Sequence, residues 1–286
     1  MNEAALIPED TLPKLLLRNY RKYGSEQVAA REKTMGIWQS YSWKDYYEIV
    51  KHLALAFKSL GLGEGERISI LGENKPHAFW FELAAHSLRG VVVGIFADCT
   101  PPEVEYYLSH SGSRYVVCQD QEQVDKVLEI QEKVPNLEKI IYWDSKGLWS
   151  YTNPQLVSME QMIEMGRAYA EEHPDAYEKS VDSTSGDDLA VFLYSSGTTG
   201  QPKAAMVTQK ALIGMATAIN DVDRYRENEE YLSFLPLAWI AELLLGVACS
   251  LYFCLRTNFP EEPETVQDNI REIGPQVVFF GPRLWE

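Results

Sequence analysis

The segment Tyr194-Ser195-Ser196-Gly197-Thr198-Thr199-Gly200-Gln201-Pro202-Lys203 decides how the rest of the chain is interpreted. It lies between two apolar runs, residues 189–193 and 204–208, each long enough for one strand. Its glycines let backbone N–H groups approach an anion, and its serine and threonine hydroxyls add further donors. Lys203 adds a positive charge suited to a phosphate. The composition therefore predicts a phosphate-binding loop between two strands.

Two alternatives exist for this segment. Gly, Ser and Thr also build the turn of a β-hairpin, but such a turn needs only roughly two to five residues and fewer hydroxyls. The common GxxxxGK[ST] nucleotide loop has a different spacing, because the order here is Gly197-x-x-Gly200-x-x-Lys203. Pro202 has no N–H to donate and disfavours helix at the preceding residue. The segment is therefore not expected to open a helix as the common loop does.

The segment resembles the phosphate loop of the adenylate-forming (AMP-binding) superfamily, whose pattern is Tyr-Thr-Ser-Gly-Thr-Thr-Gly-x-Pro-Lys-Gly. That superfamily includes acyl-CoA synthetases, luciferases and the adenylation domains of peptide synthetases. The chain departs from the pattern at Ser195, Ala204 and Gln209, where the superfamily usually has Thr, Gly and often His. The first change is conservative and the other two lie past the loop, so they affect strand packing more than the assignment.

Three further segments extend the resemblance. Residues 235–242, Leu-Pro-Leu-Ala-Trp-Ile-Ala-Glu, are similar to the Leu-Pro-Leu-x-His-x-x-Glu segment of acyl-CoA synthetases, with Trp239 in place of the usual His, as in some bacterial long-chain relatives. Residues 282–286, Pro-Arg-Leu-Trp-Glu, resemble a segment of long-chain fatty acyl-CoA synthetases. Residues 101–106 lie where the superfamily has a Pro-x-x-Glu-x-x-Tyr segment, which we interpret as framework without chemistry. From about Leu12 onward the chain thus resembles the N-terminal half of a bacterial long-chain fatty acyl-CoA synthetase.

The resemblance implies a reaction and its cofactors. A fatty acid carboxylate attacks the α-phosphate of ATP to give an acyl-adenylate and pyrophosphate, and the thiol of coenzyme A then displaces AMP. Lys203 and Thr199 would be catalytic, Thr199 would also bind Mg²⁺, and Trp239 and Glu242 would contact the acyl substrate. The phosphate-binding residues implied are Ser195, Ser196, Gly197, Thr198, Thr199, Gly200 and Lys203. In the family, the nucleoside contacts, a metal-binding glutamate and a mobile domain with its lysine follow the part matched here, so the missing C-terminal half is an expected partner.

Strands that alternate with helices predict the fold. Apolar runs at residues 68–71, 91–96, 115–118 and 140–143 are separated by helical patterns, which is typical of a doubly wound, mostly parallel sheet flanked by helices. We expect an α/β fold with two related subdomains, residues 1–180 and residues 181–286, the second carrying the loop and incomplete. The acidic and hydroxyl-rich stretch at residues 171–188 is predicted to be a solvated linker.

The run at residues 237–255 is nearly all apolar, with Glu242 as its only charge, and it reaches the length of a membrane span. Pro236 and Glu242 break it near one end, and no Lys/Arg cluster flanks it apart from Arg256. A helix buried between two layers is the alternative. The resemblance favours the buried helix, which would border the acyl pocket, so no transmembrane segment is expected.

Composition excludes some classes of partner. The net charge of −16 argues against nucleic acid and against docking on anionic lipid. The four cysteines show no metal-binding spacing and lie in or near apolar runs, so buried free thiols and a cytoplasmic location are expected. Two other classes of function stay open, namely a ligase for an aryl or short-chain acid and a non-catalytic nucleotide- or lipid-binding fragment. Apolar surface and a sheet edge intended for the missing half predict self-association of the fragment.

Overall fold

The computed structural model describes residues 9–195 and 200–281, which form two sheets flanked by helices. The predicted α/β fold with mostly parallel sheets is confirmed. The strands are β1 Val28–Thr34, β2 Ile37–Ser42, β3 Arg67–Leu71, β4 Val91–Ile95, β5 Tyr115–Cys118, β6 Lys139–Tyr142, β7 Leu156–Ser158, β8 Leu189–Ser195, β9 Lys203–Thr208, β10 Glu230–Leu232 and β11 Arg256–Phe259. The helices are α1 Leu12–Tyr23, α2 Trp43–Ser59, α3 Pro76–His86, α4 Pro101–Ser111, α5 Gln121–Ile130, α6 Met159–Glu172, α7 Ala176–Ser183, α8 Gln209–Asn220, α9 Ile240–Glu242, α10 Ser250–Phe253 and α11 Val266–Ile273.

The larger sheet has the strand order β7-β6-β5-β3-β4-β8-β9, in which every neighbouring pair is parallel except β8 and β9. The smaller sheet has the order β10-β11-β1-β2, with only β1 and β2 antiparallel. Helix α3 packs on strands of both sheets. All its residues except His77 are buried, as expected of a helix that is apolar on every side.

Local sequence signals explain several element boundaries. The Ser42 hydroxyl and the Asp45 carboxylate form a reciprocal capping box that starts α2, as the sequence predicts. Helices α2 and α6 pack closely because α6 carries Gly166 at the contact. A Cβ at Gly166 would overlap the backbone oxygen of His52, so a larger residue would force the two helices apart.

The predicted linker at residues 171–188 is wrong. Residues from Ala176 to Ser183 form α7, whose Tyr177 and Val181 are buried in the core, while its charged residues Glu178, Lys179 and Asp182 are exposed. Two buried side chains are enough to hold a short amphipathic helix, but they are too few to stand out in a polar stretch.

The sheets do not divide the chain where the predicted subdomains do. Strands β8 and β9 follow residue 180 but extend the sheet built by β3 to β7. Strands β1 and β2 precede that residue but share a sheet with β10 and β11, through the pairing of β1 with β11. The division of the chain into two subdomains at residue 180 stays a prediction.

The apolar run is helical from Ile240 to Phe253, and we call these residues the helical segment. Its centre, Leu243–Cys249, has π-helical hydrogen bonding, and the Ser250 hydroxyl donates to the carbonyl oxygen of Leu245 at 2.9 Å. No helix within residues 9–195 and 200–281 is long and apolar enough to cross a membrane.

The end of the described chain carries a 3₁₀ turn, Pro263–Thr265, which leads into α11. Beyond α11, the described residues make a single parallel bridge, between Tyr231 and Val277. The expected state of the cysteines is confirmed, since Cys99, Cys118, Cys249 and Cys254 are all buried and free.

Candidate functional site

The predicted phosphate loop connects the antiparallel strands β8 and β9. Ser195, the last residue of β8, pairs with Lys203, the first residue of β9, and both side chains are exposed. Gly200 has a φ of +133°, a conformation that side-chain-bearing residues rarely adopt. Ser196, Gly197, Thr198 and Thr199 lie outside the described residues. The structure therefore brings together three of the predicted site residues, namely Ser195, Gly200 and Lys203.

The hairpin lies at the carboxyl edge of the larger sheet. Strand β8 runs parallel to β4, so its last residue is at the same edge as the ends of β3 and β4. The chain passes from β3 to β4 on one side and then to β5 on the other, which makes this edge a topological switch point. Open α/β sheets bind ligands at such points.

A cavity of about 280 Å³ opens at this edge beside the carboxyl ends of β3 and β4, and we call it the strand-end cavity. The segments that follow β3, β4 and β11 line it, together with residues 236–238. The Asn74 carbonyl oxygen in its wall is buried and has no hydrogen-bond partner in the described part of the chain. The next residue in the lining, Lys75, donates from its ammonium to the backbone oxygens of Pro260 and Glu261 at 2.9 and 2.7 Å.

A second concave region lies between α8 and the helical segment, and we call it the apolar groove. Its volume is about 510 Å³, and ten of its fourteen lining residues are apolar, among them Met215, Ile219, Ile240 and Leu244. A neighbouring hollow of about 420 Å³ shares Met215, Ile219, Asp223 and Leu244 with it. Both volumes fall in the range of small-molecule sites, roughly 300–1,000 Å³. The apolar lining suits an apolar ligand.

Trp239 lies between the two concave regions. The preceding residue, Ala238, lines the strand-end cavity, and the following residue, Ile240, lines the apolar groove. The Trp239 side chain is 47% exposed, so it is not a core residue. Substrate contact by Trp239 stays a prediction.

Glu242 is fully buried and lines neither concave region. Its carboxylate accepts hydrogen bonds from the hydroxyls of Tyr231 and Ser233, and the Asn74 amide in turn donates to the Ser233 hydroxyl at 2.8 Å. Burial raises the pKa of Glu242 to about 7, against the lowering effect of these hydrogen bonds. Any influence of Glu242 on a substrate would therefore run through the packing of the helical segment.

Glu82 of α3 is a second fully buried acid, and sequence reasoning missed it. Neither of its carboxylate oxygens has a hydrogen-bond partner in the described residues. Burial raises the pKa of Glu82 to about 8, and the nearby charge of Glu242 adds to the rise. At neutral pH Glu82 is therefore mostly protonated, which removes the cost of a bare charge in the core. The signal that could have found it is the apolar sequence on all sides of α3, which is typical of a fully buried helix.

Sequence reasoning also missed the residues of α4 that contact the hairpin. The Tyr106 hydroxyl donates to the backbone oxygen of Pro202 at 2.6 Å, and the His110 ring nitrogen Nδ1 lies 2.7 Å from the Tyr194 hydroxyl. The segment that carries Tyr106 was identified, but it was interpreted as framework. The described residues contain no cluster of three or more acids, histidines or cysteines that could hold a metal ion.

Comparison with solved structures shows the fold. The N-terminal domain of FACL13 from Mycobacterium tuberculosis superposes with a TM-score of 0.74 at 18% identity, over 96% of this chain and 63% of that one. A putative long-chain-fatty-acid CoA ligase from Rhodopseudomonas palustris gives a TM-score of 0.77 at 16% identity, over 96% of this chain and 64% of that one.

Curated relatives are similar along nearly the whole chain. The long-chain-fatty-acid–CoA ligase ACSBG2 of Xenopus laevis is 27% identical over 293 residues, which cover all of this chain and 39% of that protein. Human ACSBG1, also a long-chain-fatty-acid–CoA ligase, is 26% identical over 284 residues, which cover 96% of this chain and 38% of that protein. The chain thus spans about two fifths of the length of these relatives.

A family model agrees with the loop sequence, the sheet topology and the relatives. The model described as AMP-binding enzyme matches residues 18–286, which is most of the chain. The chain belongs to the AMP-binding enzyme family.

Proposed function

We propose that this chain supplies the phosphate loop and the acyl site of a long-chain fatty acid–CoA ligase. The reaction would begin with attack of the fatty acid carboxylate on the α-phosphate of ATP, and coenzyme A would then take the acyl group from the adenylate. The observation that carries the proposal is the apolar groove between the helical segment and α8, the helix that directly follows β9. A ligase for small polar acids would have no use for a groove of this size and lining.

The path of the chain supports a connection between loop and groove. Helix α8 follows β9 directly and packs on it. Twelve helical residues span about 18 Å, close to the roughly 20 Å of a six-residue strand. A helix that folds back along β9 returns its C-terminal half, with Met215 and Ile219, toward the edge where Lys203 lies.

The loop residues would work by binding charge. Lys203 and the hydroxyl and N–H donors of residues 195–200 would stabilise charge on the transferring and leaving phosphates, which needs no covalent help from the protein. Thr199 would hold Mg²⁺, which would supply further neutralisation of the phosphate oxygens. The proposal includes a cytoplasmic location, consistent with four cysteines that remain free thiols.

The experiment blocks the apolar groove in the complete protein that contains this chain. Met215→Trp places a large side chain at a residue that lines both hollows. We expect pyrophosphate exchange with palmitate to fall at least tenfold while exchange with hexanoate is kept. The control is Ala211→Trp, an exposed position one turn earlier on α8 that lines neither hollow.

The same assay separates the two alternatives. A wild-type preference for benzoate or acetate over palmitate would replace the proposal with the aryl or short-acid ligase. Absence of exchange with every acid, together with retained binding of ATP or lipid, would indicate a non-catalytic binding protein.

A further inference from the structure

Helix α4 contacts both described ends of the loop that connects β8 to β9. Tyr106 donates its hydroxyl hydrogen to the backbone oxygen of Pro202, one residue before β9 begins. One helical turn later, His110 is hydrogen-bonded to the hydroxyl of Tyr194, one residue before β8 ends. The rings of Tyr106 and His110 stack with centroids 5.4 Å apart, so the side chains that make the two contacts also pack on each other.

The ring of Tyr194 packs into this same group. It meets Tyr107 edge to face at 4.8 Å between centroids, and it meets His110 at 5.5 Å. We call Tyr106, Tyr107, His110 and Tyr194 the aromatic cluster. The cluster joins α4 to the strand ends beside Ser195 and Lys203.

Strand β9 needs such a support because it is the edge strand of the larger sheet. It pairs with β8 and with no other strand in the part of the chain that the structure describes. Its burial is low, since Lys203, Ala205 and Met206 are all exposed. The hairpin ladder and the aromatic cluster therefore hold the backbone from which the Lys203 side chain extends.

Simple packing of α4 on the sheet would not require these hydroxyls. Phenylalanine would fill the same space at residues 106 and 194, and the hydroxyl of Tyr107 in fact makes no hydrogen bond within the described residues. The two hydroxyls that form hydrogen bonds, those of Tyr106 and Tyr194, belong to the contacts at the two ends of the loop.

We propose that Tyr106 and His110 are positioning residues for ATP, because they hold the strand ends that carry Ser195 and Lys203. The proposal rests on the phosphate-binding role of Lys203 proposed above. It assigns a function to the segment at residues 101–106, which sequence reasoning had taken as framework.

The first test does not depend on any activity. Hydrogen–deuterium exchange in the complete protein is measured for peptides that cover residues 194–204 in the wild type and in Tyr106→Phe, His110→Ala and Tyr107→Phe. We expect exchange about 2- to 10-fold faster in the first two variants, the range that the loss of one hydrogen bond supports. Tyr107→Phe is the matched control and should exchange like the wild type. Equal exchange in all four proteins would overturn the proposal.

The second test separates positioning from general stability. In Tyr106→Phe the KM for ATP should rise about 2- to 10-fold while the KM for palmitate stays unchanged. His110→Asn places a hydrogen-bonding atom near the position of Nδ1 and should exchange more slowly than His110→Ala. An equal rise in both KM values, or no difference between Asn and Ala, would contradict a positioning role. If the wild type shows no ATP-dependent reaction, the proposed function fails, and the exchange experiment still decides whether the cluster holds the strand ends.

Discussion

At the scale of single residues, Lys203 is the residue on which the proposed chemistry depends most. It is exposed at the start of an edge strand, opposite Ser195 and next to the carbonyl that Tyr106 holds. A lysine placed at the mouth of a phosphate loop supplies a point charge that backbone N–H groups cannot replace.

We expect Lys203→Ala in the complete protein to slow adenylate formation about 10- to 150-fold. A charge-assisted hydrogen bond contributes about 1.5–3 kcal/mol, and this range follows from its loss. The measurement is ATP–pyrophosphate exchange. The control is Lys210→Ala, which removes another exposed lysine that is ion-paired with Asp187. A rate close to that of the wild type in Lys203→Ala would remove this lysine from the mechanism.

At the scale of elements, two buried acids lie near each other where α3 meets the helical segment. They are Glu82 of α3 and Glu242 of the helical segment. Gly246 makes the close contact possible, because a Cβ at that position would overlap the Glu242 carboxylate and the Phe79 ring. Glu242 is held by two hydroxyls, whereas Glu82 is held by none in the described residues. The interface therefore contains an acid that is tolerated only in its protonated form.

This arrangement predicts how stability depends on pH. The pKa of Glu82 is about 8 in the folded protein and near the ordinary glutamate value in the unfolded chain. Between these values the folded state keeps a proton that the unfolded state has lost, so the free energy of unfolding falls as the pH rises from 5 to 8. The glutamine side chain of Glu82→Gln cannot ionise. The free energy of unfolding of this variant, relative to that of the wild type, should therefore rise over this interval by on the order of 3 kcal/mol.

Urea unfolding of the wild type and of Glu82→Gln at pH 5 and pH 8 measures this effect. Glu164→Gln, at an exposed glutamate of α6, controls for the change in net charge. The two proteins differ in their free energy of unfolding, and this difference should grow from pH 5 to pH 8. If it does not grow, the Glu82 carboxyl is solvated.

Elements with local signals could be predicted from the sequence, and elements that depend on distant contacts could not. The capping box at Ser42 and the alternating strands and helices up to β6 need only neighbouring residues. Helix α7 was missed because Tyr177 and Val181 are its only buried apolar residues. The π-helical centre was missed because apolar composition does not distinguish hydrogen-bonding patterns.

The same distinction between local signals and distant contacts applies to the candidate site. The loop residues were found because a sequence pattern carries them, and Ser195, Gly200 and Lys203 do lie on one hairpin. Tyr106 and His110 were not assigned a role because their partners, Pro202 and Tyr194, are far away along the chain. The burial of Glu82 follows from the packing of α3 against both sheets, and the apolar sequence around Glu82 was a local signal that was not used.

At the scale of the whole molecule, the two sheets are built from interleaved parts of the chain. The first hairpin, β1–β2, completes the smaller sheet with β10 and β11, while β8 and β9 complete the larger one. The strand-end cavity, the apolar groove and the strand ends beside the predicted loop all lie within the described residues. The relatives, however, are more than twice as long as this chain.

We expect residues 1–286, produced alone, to form no acyl-adenylate and no acyl-CoA from ATP, Mg²⁺, palmitate and coenzyme A. Placing all reacting groups in one geometry can contribute about 7–11 kcal/mol, and part of the family's site is implied to lie beyond these residues. Mass spectrometry of both products is the measurement, with the complete protein as positive control. We also expect the chain alone to self-associate, because Ile37, Val222 and Phe279 are exposed. Turnover by residues 1–286 would show that the essential groups are all within them.

The pairing of β1 with β11 has a consequence for biosynthesis. Ala30 pairs with Thr257, so strand β1 leaves the ribosome long before its partner has been made. At about 5–20 residues per second, the delay is on the order of 10–45 s. During this time the edge of β1 that later pairs with β11 is without its partner. Nascent chains stalled before residue 256 should therefore be more protease-sensitive in the first hairpin than the finished chain.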